Sequence, residues 1–372
     1  KYFLKFTIIV VLLITSCTIH NKDVLINRLD EIKAMGDTLP LIAMEQLDSI
    51  RPLLKDRSDY VQNKISLLDI RLRDKAFISH TSSEVIKGVC NYFEKNGTAK
   101  DIQESYYYMG SVYRDLNDYP QAITYFLKSV GIAETNEYVD IALWENAYSQ
   151  LSYLYKTQFN YPGALETAIT ALKIAKDFNT VNERTYMSVA ICYIKIGDTL
   201  NAVKYYNQII ERTKNLVIDE NNSDIIATLL GDYSLLGYKN EATYCNNLLN
   251  KLGRKELPFN YLVNLAIYYE RFVSADSTAI TMSELYATTN SIESKYDAAR
   301  WLTRHYVAKG EYEKAADYAI KFINANEAVI DKRNFEHTTN ANNFYRYRRD
   351  KEQETAIMEN AAQQRFWTLL VA

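Results

Sequence analysis

Six tyrosines divide the middle of this chain into near-equal lengths. Tyr113, Tyr155, Tyr193, Tyr233, Tyr269 and Tyr306 stand 42, 38, 40, 36 and 37 residues apart. Nine residues after five of them comes alanine, Ala122, Ala164, Ala202, Ala242 and Ala315; Tyr269 has Thr278 there, the one departure. A repeat length in this range means stacked helical hairpins, none of which can bury its apolar face alone. The residue types fit that geometry. Alanine early in a second helix removes bulk where two helix axes come closest, opposite a tyrosine near the end of the first. Between the two the chain must reverse in few residues. Gly197-Asp198, Gly237-Tyr238 and Gly310-Glu311 offer a left-handed residue to end a helix. Pro120 and Pro162 offer a first helical residue whose missing N–H costs nothing there.

Composition agrees. With 11 Gly and 5 Pro in 372 residues, turns are few and helices are favoured over a meander of short strands. A hydrophobic content of 48% against 24% charged residues supports a packed core rather than disorder. The net charge of −3 argues against nucleic acid as the main partner.

Motifs for chemistry are missing. The chain has no GxGxxG, no GxxxxGK[ST], no HExxH and no GxSxG. His20, His80, His305 and His337 are isolated, and Cys90, Cys192 and Cys245 form no CxxC or Cys/His cluster. The expectation is therefore no enzyme, no cofactor and no metal site. The 31 tyrosines invite a groove lined with amphipathic rings for peptides or sugars. Packing already accounts for seven of them, Tyr106, Tyr113, Tyr148, Tyr155, Tyr186, Tyr193 and Tyr206, at framework positions.

The units resemble tetratricopeptide repeats. One shows Tyr106, Met109-Gly110, Tyr113, Ala122 and Phe126; the next shows Tyr148, Leu151-Ser152, Tyr155, Ala164, Ala168 and Ala171. A third shows Tyr186, Val189-Ala190, Tyr193, Ala202 and Tyr206, with weaker units around Tyr233 and Tyr306 and a degenerate one at Tyr269. The spacing exceeds the family's usual length of about 34 residues, so helices are longer or linkers are inserted. The resemblance implies an all-α, right-handed α-solenoid of about six hairpins with a long C-terminal helix. It also implies ligand contacts on the inner face of each first helix. Carried onto this chain, those positions are Tyr107, Ser111 and Arg114, then Ser149, Tyr153 and Lys156, then Met187, Ile191 and Ile194. The Lys and Asn clamp by which some family members hold a C-terminal carboxylate has no counterpart at the matching places.

The two ends add a second resemblance. Phe6 to Ile14 is apolar apart from Thr7, follows Lys1 and Lys5, and closes with Ile14-Thr15-Ser16-Cys17. That ending resembles a bacterial lipobox, which would lipidate Cys17; a plain signal peptide or a buried N-terminal helix are the alternatives. At the other end Phe366 to Ala372 is apolar except Thr368, beside Arg365. It reads as the first turns of a transmembrane helix, or else as a frayed amphipathic end. With Leu47-Asp48-Ser49-Ile50, this layout resembles tetratricopeptide lipoproteins of Bacteroidetes envelopes. The expected organisation is a signal peptide over 1–16, capping helices over 17–97 and the array over 98–330. A juxtamembrane helix over 331–365 and a membrane segment over 366–372 complete it. Thr81 to Glu84 fits a capping box opening the helix through Phe93. Arg346, Arg348 and Arg349 have the acidic neighbours Asp350, Glu352 and Glu354, which reads as a solvated helix face rather than a nucleic-acid patch. The 331–365 helix could pair with a second copy, although its heptads are too weak for a coiled coil.

The function implied is a non-enzymatic protein or peptide scaffold on the extracytoplasmic, periplasmic side of a bacterial cell envelope. It would be anchored through the Cys17 lipid and the C-terminal helix, as the sensing part of a signalling protein. The rivals are a surface lipoprotein that binds glycan through exposed Tyr, and an assembly scaffold for an envelope complex.

Overall fold

The computed structural model describes residues 27–214, 218–219, 222–253 and 257–371. The expected signal peptide over 1–16, the lipidation site Cys17 and the start of the capping region lie outside these residues. Among the described residues every regular element is helical and there is no strand. This is an all-α helical repeat fold.

Helix α1 covers 27–35. It is followed by α2 (Pro40–Ile50), a 3₁₀ turn (Arg51–Leu54), α3 (Asp59–Lys75) and α4 (Glu84–Asn96). The hairpins of the array are α5 (Ala99–Asp115) with α6 (Tyr119–Thr135), α7 (Ile141–Thr157) with α8 (Tyr161–Asp177), and α9 (Glu183–Lys195) with α10 (Thr199–Thr213). Then come α11 (Ser223–Leu236) with α12 (Lys239–Leu249), α13 (Tyr261–Phe272) with α14 (Ala275–Thr288), and α15 (Ile292–Lys309) with α16 (Tyr312–Val371). The chain forms two compact units. One runs to Leu151 and resumes at Asn342; the other is Ser152–Ala341.

Five of the six hairpin turns are built the same way. The carbonyl of Tyr113, Tyr155, Tyr193, Tyr233 or Tyr306 accepts from the backbone N–H five residues on, at 2.9 Å in all five cases. This bond closes a left-handed residue four positions after the tyrosine. Gly197, Gly237 and Gly310 take that place with φ of 84°, 85° and 77°, as their sequence positions predict. In the first two hairpins the place belongs to Asn117 (φ 56°) and Phe159 (φ 60°), which no glycine signal marked. Only Tyr269 departs: Val273 follows it at φ −120° and no left-handed residue is used, in the unit where alanine is also replaced. Pro120 and Pro162 are the second residues of α6 and α8, one later than expected but still within the turn whose N–H groups lack helical partners.

The small residues do what their spacing implies. Ala122, Ala164, Ala202, Ala242 and Thr278 have 0% exposure and Ala315 has 4%. A second, unforeseen period joins them. Tyr113 stacks on Tyr125, Tyr193 on Tyr205 and Tyr306 on Tyr318, with ring centroids 5.6–5.7 Å apart and planes within 18°. Each partner lies twelve residues on, so both helices of the hairpin contribute one ring to an offset stack.

Two expectations about helix ends change. Thr81 to Glu84 is not a capping box: α4 starts at Glu84 behind Ser83, whose side chain makes no cap bond. The reciprocal box is at Thr98 and Asp101, opening α5. Nor is 331–365 a separate helix, because α16 runs unbroken from Tyr312 to Val371. No Gly or Pro interrupts it, so nothing local stops the last hairpin's second helix. No helix among the described residues is long and apolar enough to cross a membrane.

Candidate functional site

The first helix of each hairpin carries the positions expected to meet a ligand, and the two units treat them differently. In the first unit the face of α5 is covered. Tyr107 is 6% exposed and Ser111 0%, so neither lies on an open surface. Tyr107 packs edge-on against Phe126 at 5.4 Å and Tyr108 at 5.0 Å, and burial pushes its phenol above the ordinary range.

Charge fills the space between α5 and α3. Asp101 accepts from Lys64 at 2.8 Å and from the Tyr60 hydroxyl at 3.0 Å. Glu104 accepts from Lys33 at 2.6 Å and lies 3.5 Å from Arg71. Arg114 donates to Asp74 at 2.8 Å, to Asp115 at 2.9 Å and to Gln150 of α7 at 3.1 Å. His80 Nδ1 lies 2.8 Å from Asp115. Burial works against the Asp101 charge, but Lys64 and the Thr98 N–H outweigh it and hold the carboxyl below its usual range. Asp115 is held low in the same way by His80 and Arg114 against its burial. This ion seam went unread in the sequence. Its signal was there: Asp101, Glu104, Tyr108 and Ser111 recur at helical spacing on a face that would otherwise be apolar. The hydroxyls of Tyr108 and Ser111 and the Nε of Arg71 are buried without a hydrogen-bond partner among the described residues.

On the next helices the positions are more open. Ser149 is half-buried on α7; Tyr153, on the part of α7 in the second unit, is 49% exposed. Lys156 is half-buried one turn further on and forms no ion pair among the described residues. Burial, helped by the charge of Lys195 on α9 and opposed by Cys192, holds its ammonium below the ordinary value. On α9 Met187 is buried, which removes it from any open groove, while Ile191 and Ile194 are half-buried against the core built by Tyr206, Leu230 and Tyr233. Met187 is covered because the same core reaches across to it. Of the nine positions, Tyr153, Lys156, Ile191 and Ile194 are thus the accessible set within the second unit. No group of three or more His, Cys, Asp or Glu residues among those described has the geometry to hold a metal.

The class of protein defined by these features is a helical-hairpin repeat protein. Comparison gives the repeat type: the family described as "Tetratricopeptide repeat" matches residues 103–136 and 183–216, so the chain carries tetratricopeptide repeats. No curated protein matches it in sequence. Among solved structures it resembles a signal transduction ATPase with numerous domains bearing a tetratricopeptide repeat sensor, from Pyrococcus horikoshii. That match has a TM-score of 0.61 at 15% identity, over 83% of this chain and 48% of that one. It also resembles a chain of the APC/C hetero-tetramer Cut9–Hcn1, with a TM-score of 0.52 at 13% identity, over 84% of this chain and 55% of that one. NprR in complex with its cognate peptide NprX gives a TM-score of 0.50 at 15% identity, over 83% and 97%. The chain spans about half the length of the first two. At these identities the likeness is one of fold.

Proposed function

We propose that this chain is a non-enzymatic scaffold that captures a peptide or protein segment on the first-helix face of its repeats. The observation that carries the reading is on α7. Tyr153 is open to solvent, and one turn away Lys156 is partly desolvated with no ion-pair partner among the described residues. A half-buried lysine next to a second cation gains stability from an incoming anionic group, and an accessible phenol gives area and a hydrogen bond at small entropic cost. Among the fold neighbours, NprR is seen with its cognate peptide, which supports the same use of a repeat array. The lipid anchor at Cys17, the membrane segment over 366–372 and the sensing role on the periplasmic face of a cell envelope belong to this proposal. They rest on the sequence resemblance.

The test is panning of the full chain against a random peptide display library, with a Tyr153→Ala, Lys156→Glu double variant as the counter-target. Peptides enriched on the native chain should be rich in Asp and Glu, and should lose about tenfold or more on the variant. Enrichment of the same peptides on both proteins refutes the site. Mass spectrometry of the mature N terminus tests the anchor, and an unmodified Cys17 there removes it.

A further inference from the structure

A cavity of about 420 Å³ opens where the distal part of α16 meets the first repeat. It lies wholly within the first unit, and none of Tyr107, Ser111 and Arg114 lines it. Two contacts hold α16 there. Asn343, only 4% exposed, donates through Nδ2 to the backbone carbonyl of Asn117 at 2.7 Å. One turn further on, Tyr347 Oη is hydrogen-bonded with Thr124 Oγ1 at 3.1 Å. The carbonyl that receives Asn343 belongs to the left-handed residue of the α5–α6 turn, so the helix is fastened to the turn itself. Asn343 Oδ1 also accepts from Arg346, which aims that guanidinium along the cavity wall.

Four charged side chains converge on this space: Lys87 of α4, Asp118 at the start of α6, and Arg346 and Asp350 of α16. They feel one another. Burial raises the Asp118 carboxyl; the Gln121 N–H that it caps opposes that rise first, then Arg346 and Lys87, while Asp350 adds to it. Yet among the described residues none of Lys87, Asp118 and Arg346 closes an ion pair within 4 Å. Lys87, Asp118 and Arg346 therefore face one another across a gap instead of neutralising one another, while Asp350 is paired with its neighbour Arg349 at 3.3 Å on the exposed side of α16. The volume falls in the usual range for small-molecule sites, roughly 300–1,000 Å³. The rings of Tyr113 and Tyr347 and the amide of Gln121 line the rest.

The geometry points to this cavity as a binding site for a small zwitterion of the free amino acid class. Its carboxylate would face Arg346 and Lys87, and its ammonium Asp118 and Asp350. Because the walls come from both α16 and the α4–α6 segment, a bound zwitterion bridges them and tightens the attachment made by Asn343 and Tyr347. This reading is independent of peptide capture on α7 and α9.

The experiment is titration calorimetry of the full chain with the twenty free amino acids, using acetate and methylammonium as single-charge controls. At least one amino acid should bind at one per chain, and at least tenfold more tightly than either control. Arg346→Gln and Asp118→Asn should each weaken that binding tenfold or more while ligand-free melting stays unchanged; asparagine keeps the helix cap that Asp118 provides. Hydrogen exchange should show added protection at 343–350 on binding. Binding by no amino acid at millimolar concentration, or binding that survives both substitutions together, overturns the assignment. Binding with no change in exchange at 343–350 places the ligand elsewhere and overturns it equally.

Discussion

Replacing Gly110 and Gly131 with alanine, one at a time, tests how tightly the first hairpin is packed. Both glycines lie inside helices, Gly110 in α5 and Gly131 in α6. On helix propensity alone either change should stabilise the chain by about 1 kcal/mol. Their surroundings differ. A Cβ on Gly131 would meet nothing within 4 Å, so the gain is kept. A Cβ on Gly110 would lie 2.8–2.9 Å from three atoms of the Phe126 ring, closer than carbon atoms pack. Phe126 is 0% exposed, so the ring has no free space into which to move. Overpacking of this kind costs about 1–3 kcal/mol, which offsets or exceeds the propensity gain. Gly110→Ala should therefore be less stable than Gly131→Ala by about 1–3 kcal/mol. Urea unfolding followed by circular dichroism gives the difference from the two midpoints. Trimming the ring relieves the clash, so Gly110→Ala combined with Phe126→Leu should be less destabilised than the sum of the single changes, by at least about 0.5 kcal/mol. Equal stability of the two alanine variants would refute the close approach of α5 and α6 at this point.

Other consequences follow from the same contacts. Phe159 is 71% exposed and sits at φ 60°, a poor conformation for a bulky residue, so Phe159→Gly should raise the melting temperature, by about 1 kcal/mol of stability. A fall instead would show that its edge contact with Tyr161 outweighs the backbone strain. Ala164 is 0% exposed, its carbonyl accepting from Ser152 Oγ at 2.9 Å; Ala164→Leu should cost about 1–3 kcal/mol or more in the second unit, read by the same unfolding assay. The folded-state Asp101 carboxyl is held below its unfolded value, so its stabilising effect is present above the ordinary carboxylate range and lost as pH falls through the folded value. Asp101→Asn should flatten the loss of stability on acidification below about pH 4, and an unchanged acid profile would remove the Lys64 pair as its source.

The sequence alone specified the hairpins, because what makes a hairpin is local. The tyrosine–alanine pairing, the three left-handed glycines and the apolar spacing act within about forty residues, and each leaves a periodic trace. The same locality explains the errors. A search for glycine could not mark Asn117 and Phe159: asparagine tolerates the left-handed conformation, and at Phe159 the closing hairpin imposes it on a residue that disfavours it. The family positions Tyr107, Ser111 and Met187 were placed on an open face, but the tertiary structure buries all three. Which first-helix residues are accessible depends on what neighbouring helices bring, here Arg71 and Asp74 of α3 and the core around Tyr233. The ion seam of Asp101 and Glu104 needs partners from 37 and 71 residues away, and Asn343 reaches Asn117 across 226 residues. Contacts at such distances follow no period and cost the chain closure entropy that only the assembled fold can offset. They were therefore decided by how the helices assemble rather than by any stretch of sequence read on its own.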